Sequence, residues 1–267
     1  MNPVLISIGA LEIRAFSAWI GLGIGIGGIV VLAAAARAGQ RLMPWLDTLI
    51  GGLIGGLIGA RAFHVWLNWE YFASRTEQIL DLRGGGLDWH GAVVGGVLAA
   101  ALVARWRHVP IKTLFDALAL AFPVVAVSVW QGCAQAACGY GIEVRSLADH
   151  PAWLVTESPD VFGDVAPRLN LPAAGTAIAV AVLLLVALWS ALRLLRGLRL
   201  WLALMIYGLA MAVLGFFRAE YVPMWFERRA DQVLDLALTF LTVMAFAGMA
   251  FARHAKTSVQ QGVDTAP

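Results

Sequence analysis

Apolar residues come in long runs along this chain, separated by short polar segments, and neither a short-period alternation nor a soluble amphipathic stripe organises them. Seven such runs fall at 15–36, 48–69, 89–106, 113–131, 172–192, 200–217 and 233–252. A stretch of about 20 apolar residues is what an α-helix needs to cross roughly 30 Å of hydrocarbon, where every backbone polar group must find an internal partner. The strict alternation of a membrane β-barrel strand is missing. The pattern therefore predicts an all-α, polytopic membrane helix bundle of about seven transmembrane helices. The bundle is expected to occupy 1–256, with a small extracytoplasmic cap at 139–171 in which Trp153, Pro159 and Phe162 pack down. A disordered tail is expected at 257–267. No basic stretch precedes the first run, so no cleaved signal peptide is expected.

Composition agrees: 60% of the 267 residues are hydrophobic and 13% charged, about half the charge of a soluble domain. Charge then sets orientation. Ten Lys or Arg lie in the segments that join at one end, namely Arg37, Arg41, Arg105, Arg107, Lys112, Arg193, Arg196, Arg199, Arg253 and Lys256. The longest opposite segment carries Glu143, Asp149, Glu157, Asp160 and Asp164. By the positive-inside rule the N-terminus is expected outside and the C-terminus in the cytoplasm of a bacterial inner membrane. The net charge of +2 is thus a topology signal and gives no reason to expect nucleic acid as a partner.

Small residues recur four apart at Gly51, Gly55 and Gly59 and at Gly91, Gly95 and Ala99, a spacing that lets lipid-embedded helices approach closely. The run Gly23-Ile-Gly25-Ile-Gly27-Gly28 matches a dinucleotide fingerprint in letters only, since it lies inside an apolar span instead of between a strand and a helix.

Ionisable residues within spans are costly and point to function unless they can reach the interface. Arg61 is the deepest of them, and its guanidinium calls for an anionic partner: a lipid phosphate, or a carboxylate such as Asp88 or Glu70. His90 stands at the outer end of a span behind the run Gly84-Gly85-Gly86. There an imidazole can anchor the interface or accept a proton. Asp116 and Asp235 lie within a turn of their span ends, where water access or a capping role is expected. Cys133 and Cys138 are five apart, which on a continuous helix puts them on different faces, so free thiols are expected. They are too few for a metal set, and neither metal nor cofactor is expected.

The segments Gly59-Ala60-Arg61-Ala62-Phe63-His64, Asn68-Trp69-Glu70-Tyr71-Phe72 and Gly85-Gly86-Leu87-Asp88-Trp89-His90-Gly91 resemble the second and third helices of prolipoprotein diacylglyceryl transferases. The stretch from Gly132 through Cys133 and Cys138 to Tyr140 and Gly141 resembles a cysteine-containing variant of that family's signature. The resemblance spans nearly the whole chain. It implies transfer of a diacylglyceryl group from phosphatidylglycerol or a related phospholipid to the lipobox cysteine of a preprolipoprotein signal peptide. His90 would be the catalytic residue, with Arg61, Arg218 and Arg14 the phosphate partners that remain. Tyr207, Cys133, Cys138, Gly132 and Gly141 are further candidates. Against the family's pattern, the signature's Arg falls on Trp130, its two Asn on Cys133 and Ala136, and its Glu on Cys138. The Tyr of the first helix falls on Phe16, and an Arg and a Glu of the sixth on Met211 and Gly215. Two alternatives stay open: a non-catalytic paralogue that binds lipid or signal peptide, and a small transporter using Arg61, His64 and Asp235 as a polar path.

Overall fold

A computed structural model describes residues 4–9, 11–82 and 85–264. Gly84 of the glycine run and residues 265–267 of the expected tail lie outside these. Two short antiparallel strands, β1 (Val4–Ile8) and β2 (Leu11–Arg14), lead into α1 (Ala15–Arg37). Then follow α2 (Leu42–Leu67), the single turn α3 (Trp69–Phe72), α4 (Trp89–Trp106) and α5 (Ile111–Ala136). A hairpin of β3 (Val155–Pro159) and β4 (Val165–Leu169) precedes α6 (Leu171–Ala191) and α7 (Arg199–Leu214). A two-residue-per-strand hairpin, β5 (Met224–Trp225) and β6 (Arg228–Arg229), opens onto α8 (Ala230–Asp264). Seven of the helices are long and apolar enough to cross a membrane, one for each predicted span. The tail expected from 257 does not begin at a helix end, since α8 continues through Asp264.

The glycine stripes set the packing. A side chain on Gly59 would run into the carbonyl oxygen of Gly91, and one on Gly91 into that of Gly59, with Gly55 and Gly95 in the same relation one turn away. The backbones of α2 and α4 therefore touch, which fixes the height of the first residues of α4 against the last turns of α2. Gly23 and Gly27 of the discarded fingerprint seat α1 on Ser128, Ala121 and Val125 of α5. The main core lies among α5, α6 and α7, around Trp130, Val182, Val186, Leu200, Leu204 and Tyr207.

At the basic end of the bundle an acidic residue is also present: Asp47 pairs with Arg107 at 2.5 Å. Asp116 accepts the N–H of Gly197 at 2.5 Å and lies 3.7 Å from Arg199, so it staples the α6–α7 connection. In the 139–171 segment, Trp153 and Phe162 are 72% and 88% exposed, contrary to the expectation that they pack. The hairpin is held instead by Arg168, buried over Tyr140 with its guanidinium 3.3 Å from Asp160.

Candidate active site

The end of the bundle opposite the basic loops gathers the polar residues. Asp88 caps α4: its Oδ1 accepts the backbone N–H of His90 at 2.9 Å and of Gly91 at 3.1 Å, relieving two of the orphan donors of a helix start. The same oxygen lies 3.1 Å from His90 Nδ1, so the cap also fixes the imidazole. The other ring nitrogen, Nε2, lies 2.8 Å from Oδ1 of Asp235 on α8. Trp89 stacks beside the ring at 4.3 Å.

His90 and Asp235 are 3% and 2% exposed, which corrects two expectations. His90 is no interfacial anchor, and Asp235 reaches no water despite lying near the start of α8. Nearness to a helix end gives access only on a face left open, and this face of α8 is turned to α4. A neutral imidazole has one N–H, so bonding both nitrogens to carboxylates requires either an imidazolium or a proton on one of the acids. Asp88, His90 and Asp235 share protons as a set.

The expected phosphate partners divide. Arg61 is buried and donates all five of its N–H groups to backbone carbonyls: Nε to Ile79 at 2.7 Å, Nη1 to Gly85 and Gly86 at 2.8 and 3.0 Å, and Nη2 to Gln78 and Asp81 at 2.6 and 2.9 Å. This corrects the expectation of an acidic or phosphate partner, because in this geometry no donor is left for one. The reason is local: α2 ends at Leu67, six residues beyond Arg61, and the chain folds back over it. The clamp ends two residues before His90, where the N–H of Asp88 donates to Ala60 at 3.1 Å. Arg14 pairs with Glu12 at 3.4 Å on an exposed surface and, among the described residues, makes no contact with the His90 cluster.

Arg218 is the cation that faces the site. One terminal nitrogen donates to Asp231 at 3.3 Å, while its Nε is buried without a partner among the described residues. Its guanidinium lies 5.5 Å from the centre of the Trp130 ring. Arg229 grips the same Asp231 through Nε and Nη2, at 3.1 and 3.0 Å, and holds the carbonyls of Arg218 and Glu220 through Nη1. Two guanidinium groups thus converge on the single carboxylate of Asp231, four residues before Asp235 on the same face of α8.

The signature segment supplies the rest of the wall. Trp130 Nε1 donates to the Tyr207 hydroxyl at 2.9 Å, and Tyr207 packs edge-on against Trp89 at 5.5 Å. Gly132 lies against Phe16, where a Cβ would come within 2.9 Å of the ring. Cys133 and Cys138 form a disulfide, with Cα atoms 4.6 Å apart, correcting the expectation of free thiols. That expectation assumed one continuous helix, but α5 stops at Ala136 and Ala137 turns left-handed at φ 56°, bringing Cys138 back over Cys133. Beyond it Gly139 donates to Glu220 at 2.5 Å, and Gly141 pairs with Arg218. Tyr207, Gly132, Cys133, Cys138, Gly141 and Arg218 are thus joined in one wall, and Trp130 presents an aromatic face to Arg218 where the family signature has a guanidinium.

Asp88 and Asp235 enter the site in roles other than those expected, and Asp231 and Arg229 join it without standing out in the sequence. A signal was available in the four-residue spacing of Asp231 and Asp235, which puts both on one face of the last span. The polar path imagined for a transporter is split: Arg61 is occupied by the 78–86 carbonyls and Asp235 by His90.

The family model for prolipoprotein diacylglyceryl transferase matches residues 3–250. The chain belongs to that family. Among relatives named phosphatidylglycerol–prolipoprotein diacylglyceryl transferase, that of Clostridioides difficile (strain 630) is 28% identical over 162 residues, 58% of this chain and 65% of the relative. That of Bacillus cereus (strain B4264) is 35% identical over 120 residues, 43% of each chain. That of Synechococcus elongatus is 34% identical over 125 residues, 43% of this chain and 40% of the relative. The matched stretch thus spans between 40% and 65% of the length of these relatives. In this member of the prolipoprotein diacylglyceryl transferase family a histidine stands in the first turn of α4, and a disulfide closes the turn after α5.

Proposed function

We propose that this member of the family transfers a diacylglyceryl group from a phosphatidylglycerol-type phospholipid to the cysteine thiol of a prolipoprotein. The observation that carries the reading is the buried imidazole of His90, set between two carboxylates at the end of the bundle where Arg218 and Arg229 converge on Asp231. The thiol proton passes to the His90 cluster, and the thiolate sulfur attacks the glyceryl carbon. As the sulfur–carbon bond forms, the bond from that carbon to the phosphate oxygen breaks, and glycerol phosphate departs with the electron pair. Such a step needs a base near the sulfur and cations near the leaving phosphate. Arg218 is suited to the second task by its Nε–H, which has no partner among the described residues.

Expression in a bacterium depleted of its own diacylglyceryl transferase tests the whole reaction. Growth should be restored and lipoproteins should acquire the lipid. Failure with membrane expression verified would favour a non-catalytic protein that binds lipid or signal peptide.

The reading also places the site at the outer face, with the N-terminus outside and the C-terminus cytoplasmic, supported by the Lys and Arg of the opposite loops. A reporter fused after residue 256 should be cytoplasmic and one inserted near Asp160 extracytoplasmic. The reverse pattern would overturn this orientation.

A further inference from the structure

Asp88 alone suffices to cap α4 and to orient the imidazole through Nδ1. Asp235 is not needed for either task, yet it comes from another helix to bond the nitrogen that a free imidazole base would use. Burying a second carboxylate next to the first costs several kcal/mol unless its charge is met, and an ionisable group buried within a span points to function by default. A carboxylate that occupies Nε2 either blocks the chemistry or takes part in it. Its Oδ2 accepts no hydrogen bond among the described residues, so the lone pair available in the cluster lies on Asp235 and not on His90. Asp231, four residues earlier on the same helix face, holds Arg218 and Arg229. One face of α8 therefore carries both the group nearest the imidazole and the anchor of the cations.

We infer that Asp235 is the proton acceptor of the reaction, with His90 as the cationic partner behind it and Asp88 as the group that holds His90 in place. This rests on the transferase reading and moves the base one residue further than the family resemblance implies. In the step, the S–H bond of the acceptor breaks and its proton goes to Asp235 Oδ2. The sulfur–carbon bond forms as the carbon–oxygen bond to phosphate breaks, and the phosphate oxygen keeps the electron pair.

The test is a reconstituted assay with phosphatidylglycerol vesicles and a lipobox peptide, using detergent-purified full-length variants checked for monodispersity and melting temperature. Asp235→Asn should lower kcat about a hundredfold while changing KM for lipid less than about threefold, the span expected for loss of a general base. Combining it with His90→Gln should lower kcat little further, since the two act as one unit. Asp235→Glu should keep at least about ten times the turnover of Asp235→Asn. Asp235→Ala, where a cavity replaces the carboxylate, should gain turnover when formate is added. Near-parent turnover in Asp235→Asn or Asp235→Ala, with His90→Gln inactive, would overturn the inference and leave the transferase reading standing. So would an Asp235→Glu as slow as Asp235→Asn together with no response of Asp235→Ala to formate. An inactive parent would instead bring down the transferase reading and this inference with it.

Discussion

Replacement of His90 by Gln lowers turnover of phospholipid by about a hundredfold at neutral pH and leaves lipid affinity nearly unchanged. A cysteine thiol with an ordinary pKa near 8.5 is only a few per cent ionised at pH 7, and positioned proton transfer contributes about 10² or more to such a step. Gln has nearly the size of His and can donate one N–H, so it can keep a bond to Asp88 or to Asp235, but it carries no charge and cannot satisfy both. The two carboxylates that bracket the ring then lose the group that joins them. Arg218 and Arg229 are anchored on Asp231 instead, so the phosphate end of the site is untouched. Raising the pH should return part of the lost rate, because the acceptor thiol then ionises without help. The measurement is kcat and KM across pH 6 to 9 in a reconstituted assay that first shows turnover by the parent. A parent-like rate throughout would reduce His90 to a packing residue.

The fold was legible because hydrocarbon leaves few choices. Apolar runs of crossing length become helices, and Gly55, Gly59, Gly91 and Gly95 announce where two of them touch. His90 was legible for a similar reason, as an ionisable group at the end of an apolar span behind a run of glycines. What could not be seen was partnership across the chain. His90 and Asp235 are 145 residues apart, and no local pattern links the start of α4 to an inner face of α8. The disulfide was hidden by one backbone angle, since only the left-handed turn at Ala137 converts a five-residue helical spacing into a closed pair. Arg61 was misjudged because periodicity shows a cation inside an apolar run and says nothing of a loop that folds back to meet it.

That loop makes the consequence of changing Arg61 unlike that of losing a phosphate ligand. Five carbonyls between Gln78 and Gly86 converge on one guanidinium, and Phe72 covers it, the ring centre 5.2 Å from the guanidinium carbon. All five donors are met by backbone carbonyls, so the planar fork of five donors is the property in use. Hydrogen bonds to a charged group are worth about 1.5–3 kcal/mol each, and stranding several buried carbonyls at once adds their desolvation, so Arg61→Gln should cost about 3 kcal/mol or more. Arg61→Lys should recover only a part, because an ammonium offers three donors where five carbonyls wait. The loop runs directly into Asp88, whose N–H is held by Ala60 and whose carboxylate holds His90. Both variants should therefore melt earlier and turn over more slowly while binding anionic lipid as the parent does. Melting in detergent and binding to phosphatidylglycerol vesicles decide the matter together. An unchanged melting temperature with weakened binding to anionic vesicles would return Arg61 to the phosphate.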